Sequence, residues 1–144
     1  MRILFTGLWA ILLFIFTCSF SFQDLIQHQS LDFSFNASPD WSELTDQDVQ
    51  WYRRDWVLRK AGHLLGFFLL ALLASGGGRS TYAFGLCVLY AAATEILQLY
   101  FFRGGRIYDM AIDTLGVLMA YLWCRFLVRV KLTTTNFTRH KKNT

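Results

Sequence analysis

The sequence predicts an all-α protein: a four-transmembrane-helix bundle with its N and C termini on the cytoplasmic side. Three observations predict it. Of the 144 residues, 54% are hydrophobic and 17% charged, where a soluble domain carries about a quarter charged residues. The charge is also segregated by segment: Gln23 to Trp56 holds seven acidic and two basic residues, and Arg125 to the end holds six Lys/Arg and no acid. Finally, the apolar residues fall into runs able to cross a hydrocarbon core of roughly 30 Å. This composition excludes a disordered chain and a small disulfide-stapled secreted domain. It also excludes a nucleic-acid binder, because the net charge of +4 resolves into the segment bias of a membrane protein. Cys18, Cys87 and Cys124 all lie in apolar runs. An odd set so placed reads as packing, not as a disulfide framework or a metal site.

Taken in order, residues 1–22 form the first transmembrane helix: Arg2 precedes an uncharged run from Ile3 to Phe22. A cleaved signal peptide has the same beginning. However, Ser19-Phe20-Ser21 is a weak cleavage site and Ile15-Phe16-Thr17-Cys18 a poor lipobox, so the helix is expected to be retained. Residues 23–59 form an outer loop. Within it Thr45-Asp46-Gln47-Asp48 resembles a capping box, and Val49, Trp51, Tyr52 and Trp56 suggest a short interfacial helix after it. Asn36-Ala37-Ser38 matches a glycosylation triplet too common to carry weight. Residues 60–128 form a three-helix membrane domain. Its first helix is Ala61–Ala74, extended outward by Trp56–Lys60 with Lys60 snorkelling to the headgroups. The glycine-rich stretch Ser75–Ser80 then turns the chain. Thr81–Phe102 is the next span, Arg103-Gly104-Gly105-Arg106 the next turn, and Ile107–Val128 the last span. Residues 129–144 are a basic cytoplasmic tail.

Lys and Arg in the short connections set the orientation. Arg2, Arg79 and the tail belong inside, and the acidic segment outside. Arg103 and Arg106 then fall outside, against the rule, which marks them as placed there for a purpose. The protein is expected to be a multi-pass protein of the inner, cytoplasmic membrane.

An ionisable residue inside a span costs several kcal/mol and calls for an explanation. The up-and-down topology brings these residues to one depth: Lys60 and His63 at the outer end of one helix, Glu95 and Gln98 at the outer end of the next, and Asp109 and Asp113 in the outer half of the last. The i,i+3 and i,i+4 spacings keep each pair on one helix face. Gly116, one turn beyond Asp113, permits close helix approach. Arg103 and Arg106 would cap the cluster from outside. Such a set can hold helices in register as ion pairs. It can also form a polar site for a lipid headgroup, or place a histidine opposite carboxylates for acid–base chemistry. One histidine without a suitably placed cysteine argues against zinc, and no metal or cofactor is expected.

At these residues the sequence resembles the VanZ-like family of small bacterial membrane proteins. The resemblance covers about Arg59 to Leu122. It rests on Arg59-Lys60-x-x-His63, on Glu95-Ile96-Leu97-Gln98, and on Arg103-x-Gly105-x-x-x-Asp109-x-x-x-Asp113-x-x-Gly116, in order on successive spans. The first span and the outer segment lie outside it. Many relatives have an acid where this chain has Thr94, and many in the subgroup a glutamate where it has Gly66. The resemblance implies an integral membrane protein linked to low-level resistance to the glycopeptide teicoplanin, without an established biochemical activity. The expected partners are therefore membrane lipids, with a lipid-linked cell-wall precursor or a glycopeptide as the specific ligand, and no nucleic acid. The leading expectation is a binding module, with Lys60, Arg103 and Arg106 meeting phosphate and the carboxylates orienting the cations. The alternatives are an enzyme acting on an envelope lipid or sugar through His63 and a carboxylate, ion or proton transfer, and a structural subunit of an envelope complex.

Overall fold

A computed structural model describes residues 1–19, 35–47, 49–102 and 104–142, with side chains described as far as Lys131 except that of Ser19. Every regular element among them is helical: α1 (Arg2–Phe14), continued by one π-helical turn (Ile15–Ser19), a short 3₁₀ turn (Trp41–Thr45), α2 (Arg54–Ser75), α3 (Tyr82–Tyr100) and α4 (Ile107–Lys142). Three stretches are long and apolar enough to cross a membrane: Arg54–Ser75, Tyr82–Tyr100 and Ile107–Lys131. The N-terminal apolar helix, Arg2–Cys18, is shorter than these. At 1.5 Å per residue it spans about 25 Å. Phe20 to Phe22, the end of the expected first span, lies outside the described residues.

The boundaries follow local chemistry. α2 ends where Gly76 adopts the left-handed conformation (φ 63°), which glycine enters without steric cost. The N–H groups of Gly76 and Gly77 return to the carbonyls of Leu73 and Leu72, satisfying the last turn. The Arg2 side chain lies against Gly76, where a cation meets the negative end of the helix dipole. α4 runs on past Val128 to Lys142; no glycine or proline interrupts residues 129–142, so nothing local stops it.

Among the described residues of the segment between α1 and α2, a 3₁₀ turn covers Trp41–Thr45, ahead of the place expected for a short helix after Thr45. Asp40 caps Trp41–Thr45 by accepting from the Ser42 N–H at 2.9 Å, and the Ser42 side chain together with that N–H holds the Asp40 carboxyl below its ordinary range. Thr45 ends this turn: its hydroxyl donates to the Ser42 carbonyl at 2.9 Å and is not used as an N-cap acceptor. Val49 and Gln50 are irregular, Trp51 and Tyr52 form a turn, and Asp48 lies outside the described residues.

α4 packs against both α2 and α3, which also touch each other; α1 leans on α2, and its π turn on α3. The core is made of Leu13, Phe67, Leu70, Ala71, Phe84, Cys87, Ala91, Val117, Ala120 and Cys124. Ala71, Ala91 and Ala120 are completely buried, and small residues at the contacts let backbones approach as membrane helices require. Polar bonds fix α1: Trp9 Nε1 donates to the Gly66 carbonyl at 3.0 Å, Tyr90 Oη to that of Ala10 at 2.6 Å, and Cys18 Sγ to that of Thr94 at 3.7 Å. All three cysteines are free and buried. Large apolar side chains such as Leu58, Leu65, Leu86, Leu89, Leu122 and Phe126 are exposed on the outside of the bundle.

Candidate functional site

The first turns of α2 and α4 and the last turns of α3 meet at one end of the bundle. Antiparallel succession brings these ends together, and the helical spacing of each polar pair turns it toward the neighbours. Lys60, Glu95, Gln98, Asp109 and Asp113 are buried, Glu95 and Asp113 completely.

Two pairings cross between α2 and α4. Lys60 Nζ donates to Asp109 Oδ1 and Oδ2 at 2.5 and 2.6 Å. One turn further in, His63 Nδ1 lies 3.1 Å from Asp113 Oδ1 and 3.4 Å from Oδ2. The four residues thus form two rungs, 60 with 109 and 63 with 113. His63 Nδ1 also faces Glu95 Oε1 of α3 at 3.8 Å. Glu95 is held on both oxygens, Oε1 by Gln98 Nε2 at 2.9 Å and Oε2 by the backbone N–H of Arg106 at 3.0 Å.

The turn between α3 and α4 makes that last bond possible. Phe102 and Gly104 both have positive φ, 53° and 62°, and they bend the chain so that Gly105 sits directly on the Glu95 carbonyl oxygen, where a Cβ would overlap it. Gly116 does the same deeper in the bundle: a Cβ there would collide with the carbonyl of Leu64, so α4 touches the backbone of α2.

Seven of the eight residues singled out from the sequence therefore gather here; the eighth, Arg103, lies outside the described residues. Arg106 contributes differently from expectation. Its side chain turns to Tyr108, with Nη1 donating to Oη at 3.2 Å, and its backbone serves Glu95. Tyr108 was not singled out from the sequence, yet its ring has Lys60 Nζ at 4.6 Å and the Arg106 guanidinium at 5.9 Å. The signal was its position: it directly precedes Asp109 in the first turn of a span, where tyrosine favours the interface. Trp56, expected as an anchor, also lies beside Lys60 Nζ, at 5.5 Å.

Phe35, Asn36 and Trp41, from the segment between α1 and α2, pack against Tyr100 at this end. The Asn36 N–H donates to the Tyr100 carbonyl at 2.8 Å, and Phe35 and Trp41 pack on Tyr100 at 6.0 and 6.3 Å. Phe101 receives Phe14 and Phe35, both at 6.1 Å. An aromatic group thus gathers at the end of α3 beside the polar residues, and aromatic side chains suit a membrane surface.

Gly66 lies against α1, and the Thr94 carbonyl receives Cys18 of the π turn. A Cβ at Gly66 would come within 2.6 Å of Leu13 Cδ2, and Thr94 is fully buried. A longer side chain at Gly66 would meet the first helix, and an acid in place of Thr94 would be buried.

The chain matches the VanZ/LLP1 family over residues 3–129. That range takes in the first helix and the outer segment, which the motif resemblance had left out. The chain is also similar to an uncharacterized membrane protein, YwnJ, of Bacillus subtilis (strain 168): 32% identity over 124 residues, covering 83% of this chain and 86% of the relative. No solved structure matches.

Proposed function

This chain belongs to the VanZ/LLP1 family and is a multi-pass membrane protein, and we propose that its polar end holds the anionic headgroup of an envelope lipid or lipid-linked cell-wall precursor. The observation that carries this reading is the arrangement around Tyr108, where Lys60 and Arg106 approach one ring at the rim of the bundle. Asp109 neutralises Lys60; Arg106 is half-buried, and the planar fork of a guanidinium is well suited to a phosphate. Arg54 and Arg59, exposed on the first turns of α2, add positive potential at the same end. In this reading α1 is a fourth span, both termini are cytoplasmic and the cluster faces outward. Teicoplanin, whose target is a lipid-linked wall precursor, acts on that side. Arg106→Gln should then weaken binding of a phosphate-bearing lipid to the purified protein in nanodiscs by about tenfold, the worth of one charge-assisted hydrogen bond, at unchanged abundance. Undiminished binding would overturn the proposal.

A second reading is favoured by the 3.1 Å contact of His63 with Asp113. A histidine oriented by a buried carboxylate can move a proton, so the cluster would act on an envelope lipid or its sugar as an acid–base pair. That reading requires a covalently altered lipid in membranes that contain the protein. Identical lipid mass spectra with and without it would end it.

A further inference from the structure

We propose that His63, Glu95 and Asp113 form a binding site for one divalent transition-metal cation of the zinc or manganese class. Each comes from a different helix, and together they can present one nitrogen and two carboxylate oxygens, all within 4.8 Å of one another. Two donors that share an ion at about 2.0–2.2 Å each lie roughly 3–4 Å apart. The separations of 3.1 Å from His63 Nδ1 to Asp113 and 3.8 Å to Glu95 already fall in that range. An imidazole and two carboxylates without a thiolate suit zinc or manganese.

Charge makes the independent case. Lys60 is taken up by both oxygens of Asp109, which leaves Glu95 and Asp113, each fully buried, facing one imidazole. Among the described residues, the hydrogen-bond partner of both Asp113 oxygens is His63 Nδ1. A single ring N–H cannot serve two oxygens of one carboxylate and also a second carboxylate. Two buried carboxylates facing one imidazole need added protons or an added cation to balance them, and a single cation of charge +2 balances both.

The supporting groups fit the same role. Gln98 and the Arg106 N–H hold Glu95 from both sides, the kind of outer contact that orients a ligand carboxylate. His63 keeps 12% side-chain exposure, which gives an ion a way in. A single histidine in the polar cluster argues against a metal when the sequence is read alone; the convergence of three helices supplies the carboxylates. This site does not depend on headgroup binding, because neither Lys60 nor the Arg106 side chain is a ligand.

The test uses the full chain in nanodiscs, stripped with EDTA and then titrated with Zn²⁺ or Mn²⁺ alone. One equivalent of metal per chain, with a raised Tm, is the expected result. His63→Gln and Asp113→Asn should each lower affinity about 100-fold or more, while Arg106→Gln keeps its metal whatever it does to lipid binding. In case the variants fold poorly, the wild-type Mn²⁺ complex should show magnetic coupling to one histidine nitrogen. Absence of stoichiometric metal, absence of nitrogen coupling, or unchanged affinity in a folded His63→Gln protein would overturn the site.

Discussion

Lys60 and Asp109 neutralise each other with side chains only 9% and 6% exposed, so each depends on the other. Lys60→Met should cost about 3–5 kcal/mol, because it strands a buried carboxylate. Adding Asp109→Leu should return most of that loss, and the cycle can be measured by reversible unfolding in mixed micelles. Asp113→Asn is a different case. It keeps an acceptor for His63 and reduces the buried negative charge, so stability without metal should stay within about 1 kcal/mol of wild type. A large loss would make Asp113 part of the helix scaffold and weaken both the binding and the acid–base readings.

Among the helices, glycine decides how closely backbones meet. Gly116→Ala should destabilise by about 1–3 kcal/mol, because the new Cβ meets the rigid Leu64 backbone and α4 must move off α2. Gly62→Ala is the matched control. No atom lies within 4 Å of its Cβ position, so it should be neutral, or stabilising by about 0.5–1 kcal/mol through helix propensity. Comparing the two Tm shifts separates helix contact from propensity. α1 is docked by a few bonds and by the fit of Leu13 on Gly66. Gly66→Leu should therefore lift it and expose Cys18, now 1% exposed, to a membrane-permeant maleimide. Cys87 and Cys124 should stay protected between the other helices. Unchanged Cys18 labelling would mean that α1 adjusts in place.

For the molecule as a whole, the arrangement makes a claim about sidedness. Arg2 and the turn after α2 share one end; the charge cluster and the outer segment share the other. If the basic end is cytoplasmic, a fluorescent protein fused after Thr144 should glow. An alkaline phosphatase inserted near Thr45 should be active in the same cells. The reverse pattern would turn the cluster inward and remove the headgroup reading.

The helices, and the gathering of their polar groups at one end of the bundle, were legible in the chain. Both depend on local quantities: run length, side-chain period and the alternation of direction at each turn. The end of α4 was not legible in the same way. The basic residues from Arg125 onward suggest where the last span ends when the sequence is read alone, and a change of charge does not stop a helix that runs to Lys142. The pairing of the polar groups was decided by the tertiary structure. That Lys60 takes Asp109, that His63 takes Asp113, and that Glu95 receives the backbone N–H of Arg106 depends on how far each helix is rotated about its axis and how closely two axes approach. Those distances are set by residues remote in sequence, such as Gly116 against Leu64 and Gly105 against Glu95. Helical periodicity puts a side chain on a face, and packing between helices chooses its partner.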